Sequence, residues 1–253
     1  MIEYSSAHIN GIDLSYYAVG DGPALVFLHG FGANHLAWWR QIPAFADTYH
    51  CLAPDQRMFG RSPDAADGPG AAAMADDLTA LLDYLDIDEA AVVGQSMGGW
   101  PAASFATQHP DRTAALVLSA TPGGLLTPDE HAALIEGAET SGEVDPLTPE
   151  LSFLSDAIDA LNTDRPAEFT DIRPALDGLP LAPERIVDAG VPAFLITGGA
   201  DDFMPREAMG ILSERLDDAP YTIVDDAGHC PYYNQSKAFN EAVETFLDEK
   251  AQF

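Results

Sequence analysis

The chain has 253 residues, of which 47% are hydrophobic and 9% aromatic; the length suits one large domain or two small ones, and the apolar material is enough for a sizeable core and excludes global disorder. Asp and Glu number 41 against 11 Lys and Arg, a formal net charge of −30, and a surface of that sign repels phosphate backbones and anionic lipid, so neither nucleic acid nor a membrane surface is an expected partner. Cys51 and Cys230 are the only cysteines and make neither a disulfide framework nor a metal-ligand spacing. Residues 1–10 lack a basic leader and no apolar run approaches about 18 residues, so a cytoplasmic address is expected, with no metal and no organic cofactor.

In chain order, residues 2–9 and 12–19 are two short alternating runs separated by Asn10-Gly11, the dipeptide that most strongly signals a hairpin. Residues 24–28 form a near-continuous apolar run, as expected of a strand buried on both faces, and the type recurs at 90–93, 115–118 and 193–196; residues 221–224 are also strand-like. Helical patterns fall between these runs, at 35–46, 71–85, 101–109, 205–216 and 238–250. Strands alternating with helices predict βαβ units and a mostly parallel sheet. From Pro122 to about Ala189 no buried-strand run occurs and prolines punctuate short helical patterns. The expected organisation is therefore a core made of residues 1–121 and 190–253, with 122–189 as a helical cap insertion too long for a plain loop.

The segment Val92-Val93-Gly94-Gln95-Ser96-Met97-Gly98-Gly99 runs an apolar strand into Gly-x-Ser-x-Gly and then into a helix. Such an elbow lifts a serine hydroxyl clear of the sheet, and the glycines let neighbouring backbone approach. The five-residue pattern alone is weak; its place between a buried strand and a helix makes it specific. A serine hydroxyl needs a base to take its proton, and the base needs a third group to orient it. His229, in Ala227-Gly228-His229-Cys230-Pro231 just after the 221–224 strand, is the candidate base. His8, His35, His50, His109 and His131 lie in patterned helix or strand contexts and are read as ordinary surface or half-buried residues. The acid is sought in the Gly-containing loop after the 193–196 strand, which holds Asp201 and Asp202; an Asp there can also serve simply as a helix cap.

With the order Ser96, acid, His229, the chain resembles the α/β-hydrolase fold superfamily over essentially its whole length. His29-Gly30-Phe31-Gly32 is similar to that family's oxyanion loop, and the stretch from Asp55 to Ser62 to its Asp-x-Arg-Gly-x-Gly-x-Ser turn, with Met58 in place of the usual glycine. His109-Pro110-Asp111-Arg112 after the elbow helix, and Phe239-Asn240 beyond the His loop, agree with it. The resemblance implies an eight-stranded, mostly parallel sheet flanked by helices. It also favours Asp201 over Asp202, since Pro205 stands four residues after Asp201, and it implies an oxyanion hole from the backbone N–H groups of Phe31 and Met97. His29 would shape the loop without catalysing.

Loop positions place Phe31, Met97, Trp100, Phe203, Met204, Tyr232 and Trp38 near Ser96, and the insertion offers Leu125, Leu126, Phe153, Leu154 and Phe169 as lid residues. A small, largely apolar ester or lactone is the expected partner. Dehalogenases and epoxide hydrolases of the fold use Asp where Ser96 stands. Carbon–carbon bond hydrolases often carry Asn and Trp where Gln95 and Cys230 stand, whereas enol-lactonases and perhydrolases share Ser-Met-Gly-Gly. The expected activity is carboxylic-ester hydrolysis, with enol-lactone or carbon–carbon hydrolysis as alternatives; a member that binds ligand without turnover would need a broken triad, and none is visible.

The acid excess is spread along the whole chain, lysines are limited to Lys237 and Lys250, and Asp outnumbers Glu 27 to 14. This resembles proteins from salt-loaded cytoplasms, where a Debye length of about 3 Å screens self-repulsion. Circular dichroism is expected to show secondary structure lost in dilute buffer and regained toward molar KCl; equal stability at both would mark an ordinary acidic protein.

Overall fold

In the computed structural model, which describes residues 4–138, 149–162, 165–251 and 253, the alternating runs become eight strands: β1 (Tyr4–Ile9), β2 (Ile12–Val19), β3 (Ala24–Leu28), β4 (His50–Pro54), β5 (Ala90–Gln95), β6 (Thr113–Ser119), β7 (Ala193–Gly198) and β8 (Tyr221–Val224). They form one sheet in the order β1-β2-β4-β3-β5-β6-β7-β8. β1 pairs antiparallel with β2 and β2 with β4, and every other neighbour is parallel. The hairpin closes with Ile9 opposite Ile12, and Asn10 and Gly11 both take left-handed backbone, at φ of 46° and 79°. That is the turn whose twist matches the flanking strands. β4 has no counterpart among the sequence runs. Its Cys51-Leu52-Ala53 is too short to stand out, and Pro54 ends it.

The helices are α1 (Ile42–Phe45), α2 (Met74–Tyr84), α3 (Gly99–Gln108), α4 (Pro128–Gly137), α5 (Pro149–Leu161), α6 (Phe169–Asp177), α7 (Pro183–Asp188), α8 (Glu207–Arg215), α9 (Pro231–Asn234) and α10 (Ser236–Lys250). The helix expected over 35–46 is two pieces, a 3₁₀ turn at His35–Trp38 and then α1, with Pro43 in the first turn of the second. Proline has no N–H to continue a helix and fits its first turn.

Because side chains alternate across a strand, the central strands feed two apolar layers. Val26 and Leu28 of β3 pack with Val92, Leu116, Leu81, Phe105 and Leu212 on one face. Leu25 and Phe27 pack with Val93, Val117, Phe45, Phe239 and Phe246 on the other. Residues 122–189 contribute α4 to α7 and, among the described residues, no strand. α6 drops Ile172 and Leu176 onto Phe59, Met74, Met97 and Trp100, a third apolar cluster joining this segment to the sheet. Leu125 and Leu126, expected on a lid, are buried in the first layer, while Phe153 is 75% exposed.

The Asp55–Ser62 turn is held by charge. Asp55 is buried and accepts hydrogen bonds from the backbone N–H and Nδ1 of His35, at 2.9 and 2.6 Å, and from the Arg61 N–H. Burial pushes its carboxyl up, but these donors outweigh it and hold the group below the usual range. Arg57, 1% exposed, grips Asp77 with Nε and Nη2 at 2.7 Å each, reaches Asp64 at 2.6 Å, and donates to the Asn10 carbonyl. Met58 keeps the left-handed backbone that the family's glycine would supply, at φ 74°. Removing the guanidinium strands the buried Asp77 carboxylate. Arg57→Ala is expected to cost about 3–5 kcal/mol, read as a lower urea midpoint at unchanged slope.

Candidate active site

β5, β7 and β8 are parallel, so their carboxyl ends open on one edge, where α/β sheets gather functional groups. At the end of β5, Ser96 takes φ 48°, a left-handed value rare for a residue with a Cβ. Flanking glycines make the turn possible. A Cβ on Gly94 would lie 2.5 Å from the Gly98 carbonyl oxygen, and one on Gly98 would lie 2.3 Å from that of Leu28.

Ser96 Oγ lies 2.9 Å from His229 Nε2, and His229 Nδ1 lies 3.0 Å from both carboxylate oxygens of Asp201. A carboxylate can only accept, so Nδ1 carries the proton and Nε2 is free to accept from the serine hydroxyl. Asp201, its side chain fully buried, also accepts the N–H groups of Phe203 and Met204 at 2.9 and 3.0 Å and the Thr197 hydroxyl at 3.2 Å. Asp202 is exposed, so of the two candidate acids Asp201 is the one on the imidazole. A hydroxyl, imidazole and buried carboxylate in this sequence can move the hydroxyl proton to nitrogen as the oxygen attacks.

Two supports escaped the sequence reading. Thr121, after β6, donates its hydroxyl to the Ser96 carbonyl at 2.7 Å and accepts the Gly123 N–H. Gln95 donates Nε2 to the His229 carbonyl at 3.1 Å, tying the elbow to the histidine loop. Neither belongs to a pattern that names it, since each acts on a backbone oxygen far along the chain.

His29 is fully buried, and its Nε2 accepts the Gln56 N–H while Nδ1–H donates to the Gly30 carbonyl. Burial, above all, pulls its pKa from 6.5 down to about 4. The ring is a neutral bracket between the Gly30–Phe31 turn and the Asp55 turn.

A cavity of about 500 Å³ opens over Ser96 and His229. Phe31, Ala37, Ile158, Tyr232 and Tyr233 supply apolar wall, and Ser155, Asp159 and Asn234 supply polar wall. Cys230 also lines it, but burial pushes its thiol up to about 11, so it is not a thiolate nucleophile. The predicted pocket residues divide. Tyr232 lines the cavity, and Phe203 stands edge-on to His229 with ring centres 5.0 Å apart, though outside the cavity wall. Trp38 is instead a core residue between Phe27 and Tyr232. Met204 is sunk in the first layer because the Asp201 loop folds inward on its own carboxylate. Trp100 is fully buried under Phe169, with Nε1 on Asp177 and Arg173 over its ring. Met97 packs its side chain in the same cluster, leaving only its backbone for the role expected of it.

A family model described as alpha/beta hydrolase fold matches residues 23–150. The chain belongs to that family. Among curated relatives it is 26% identical to a pimeloyl-[acyl-carrier protein] methyl ester esterase of Aeromonas hydrophila, over 93% of this chain and 100% of the relative. It is 38% identical to epoxide hydrolase 2 of Siraitia grosvenorii, but there the match spans 46% of this chain and 38% of the relative, well under half of that protein's length. Among solved structures it is similar to Est816, described as an N-acyl homoserine lactone degrading enzyme, at TM-score 0.78 and 26% identity over 96% of this chain and 100% of that one. These α/β-fold relatives are hydrolases, and the chain is placed with them in that enzyme class. No helix among the described residues is long and apolar enough to cross a membrane.

Since the folded protein resists protonating His29 and the unfolded chain does not, His29 stabilises fully above pH 6.5 and loses that contribution as pH falls toward 4. Comparing urea midpoints at pH 7 and 4.5, His29→Asn is expected to lower the pH 7 value and to flatten the acid-side fall, by up to roughly 3 kcal/mol of pH-linked stability.

Proposed function

We propose that this α/β-fold hydrolase is a serine esterase acting through an acyl-enzyme on a small, largely apolar, uncharged ester. The observation that carries the reading is the continuous hydrogen-bonded chain from Ser96 through His229 to Asp201, with the hydroxyl at the floor of an open cavity. Ser96 Oγ attacks the ester carbonyl carbon as His229 Nε2 takes its proton. The electron pair pushed onto the carbonyl oxygen is met by the backbone N–H groups of Phe31 and Met97, the latter at the start of a helix where amides point outward. The tetrahedral adduct collapses, the C–O bond to the alcohol breaks, and His229 returns the proton to the leaving oxygen. Water then gives a proton to His229 and attacks the acyl carbon; the bond to Ser96 Oγ breaks, His229 hands the proton to that oxygen, and the acid leaves. Asp201 remains ionised throughout and holds the imidazolium.

An uncharged substrate is supported by the mostly apolar described wall, in which the Asp159 carboxylate is paired with Arg165 Nη1 at 3.2 Å. A lactone is an internal ester open to the same attack, and the likeness to the lactone-degrading Est816 keeps that substrate class beside simple esters. The 122–189 segment is read as a cap over this edge, through Ser155, Ile158 and Asp159 of α5 in the cavity wall. The acid excess is read as adaptation to a salt-loaded cytoplasm.

A fluorophosphonate probe is expected to label Ser96, and Ser96→Ala to abolish both labelling and hydrolysis across a panel of short acyl esters and lactones. Asp201→Asn is expected to lower kcat by about 10⁴ by favouring the wrong imidazole tautomer. A folded wild-type protein inert to the probe would sink the reading.

A further inference from the structure

Directly after α5 comes Asn162, 6% exposed and bonded to two separate turns of the core. Its Oδ1 accepts the Gly60 N–H at 2.6 Å. Its Nδ2 donates to the Gly32 carbonyl at 2.7 Å and to that of Ala33 at 3.2 Å. With an N–H on one side and carbonyls on the other, only this orientation of the amide satisfies both. A reciprocal bond runs back from Asn34, whose Nδ2 donates to the Ile158 carbonyl of α5 at 3.0 Å. The turn that bears Phe31 is thus fastened from outside by α5, while inside it is closed by the Ala33 N–H on the Gly30 carbonyl.

The need for a fastening lies in the turn itself. Phe31 stands between Gly30 and Gly32, the latter at φ 75°, and glycines on both sides give its backbone freedom to rotate. The carbonyls of Gly32 and Ala33 are the handles that stop it. At Gly60, φ 55°, a Cβ would lie 2.3 Å from the Asp55 carboxylate, so the same Asn162 amide also registers the Asp55 turn against the Phe31 turn.

We propose that Asn162 is a positioning residue for acyl transfer at Ser96, holding the Phe31 N–H where the developing oxyanion forms. The inference rests on the esterase reading above. Asn162 touches no reacting atom; it acts through the backbone that does.

Three variants separate the halves of the amide. Asn162→Asp keeps an acceptor for the Gly60 N–H but turns a second oxygen toward two carbonyls. Asn162→Ala removes both halves, and Asn162→Ser retains one hydroxyl donor. With p-nitrophenyl acetate, Asn162→Asp and Asn162→Ala are expected to lose about 10- to 100-fold in kcat, with KM changed less than about twofold. Asn162→Ser is expected to fall between Asn162→Ala and wild type. The pH dependence of kcat should keep its wild-type midpoint, because the Ser96–His229–Asp201 chain is untouched. A merely structural residue would lower the melting temperature and leave kcat of the folded fraction unchanged. That result, or a change confined to KM, overturns the proposal, and if Asn162→Asp fails to fold the Ala and Ser variants decide in the same way. Wild type labelled at Ser96 and active beside a fully active Asn162→Asp refutes the clamp alone. Wild type neither labelled nor active refutes the esterase reading and the clamp with it.

Discussion

A serine held at φ 48° is the constraint around which the rest of the site is arranged. Left-handed backbone on a residue with a side chain costs of order 1–3 kcal/mol and persists only where the surroundings determine it. Here they do so from three directions. Gly94 and Gly98 let β3, β5 and α3 close to distances no Cβ would allow. A Cβ on Gly99 would likewise meet Thr121, whose hydroxyl fixes the Ser96 carbonyl from β6. Gln95, next in the chain, carries the constraint across to the histidine loop. The backbone that carries the hydroxyl is thus fixed by packing and by bonds from neighbouring loops.

A second layer of organisation joins the turns rather than the side chains. His29 brackets the Phe31 and Asp55 turns from inside the sheet, as a neutral ring with one donor and one acceptor. Asn162 brackets the same two turns from α5. The Asp55 turn is in turn pinned by His35 and Arg57 to the hairpin and α2. None of these residues lines the cavity, yet their bonds tie down the turn that forms its rim.

The central strands, the elbow and the histidine loop were legible in the sequence because each is a local signal: a continuous apolar run, a glycine spacing, a lone histidine at a strand end. β4 was not, because three apolar residues before a proline carry too little pattern. Trp38, Trp100 and Met204 show the limit of reasoning from side-chain size, since large apolar residues near a catalytic loop serve equally to bury it, and the backbone path decides which. Asp201 and Asp202 differ by one position, and only the fold reveals that the loop wraps its own backbone donors around the first. Thr121 and Asn162 were beyond sequence reach for a different reason: both bond to main-chain atoms, which no side-chain pattern encodes.

Arginine is scarce in this chain, and one of its nine copies stands at the cavity rim. Arg57, Arg112, Arg173 and Arg215 are each committed to a carboxylate elsewhere in the fold, while Arg165 Nη1 lies 3.2 Å from Asp159 of the cavity wall and also donates to the Gly32 carbonyl. Both side chains of that pair are well exposed, so added salt screens it. The net charge of −30 therefore does not by itself set the sign of the field at the mouth of the cavity, where an acid and a base stand side by side.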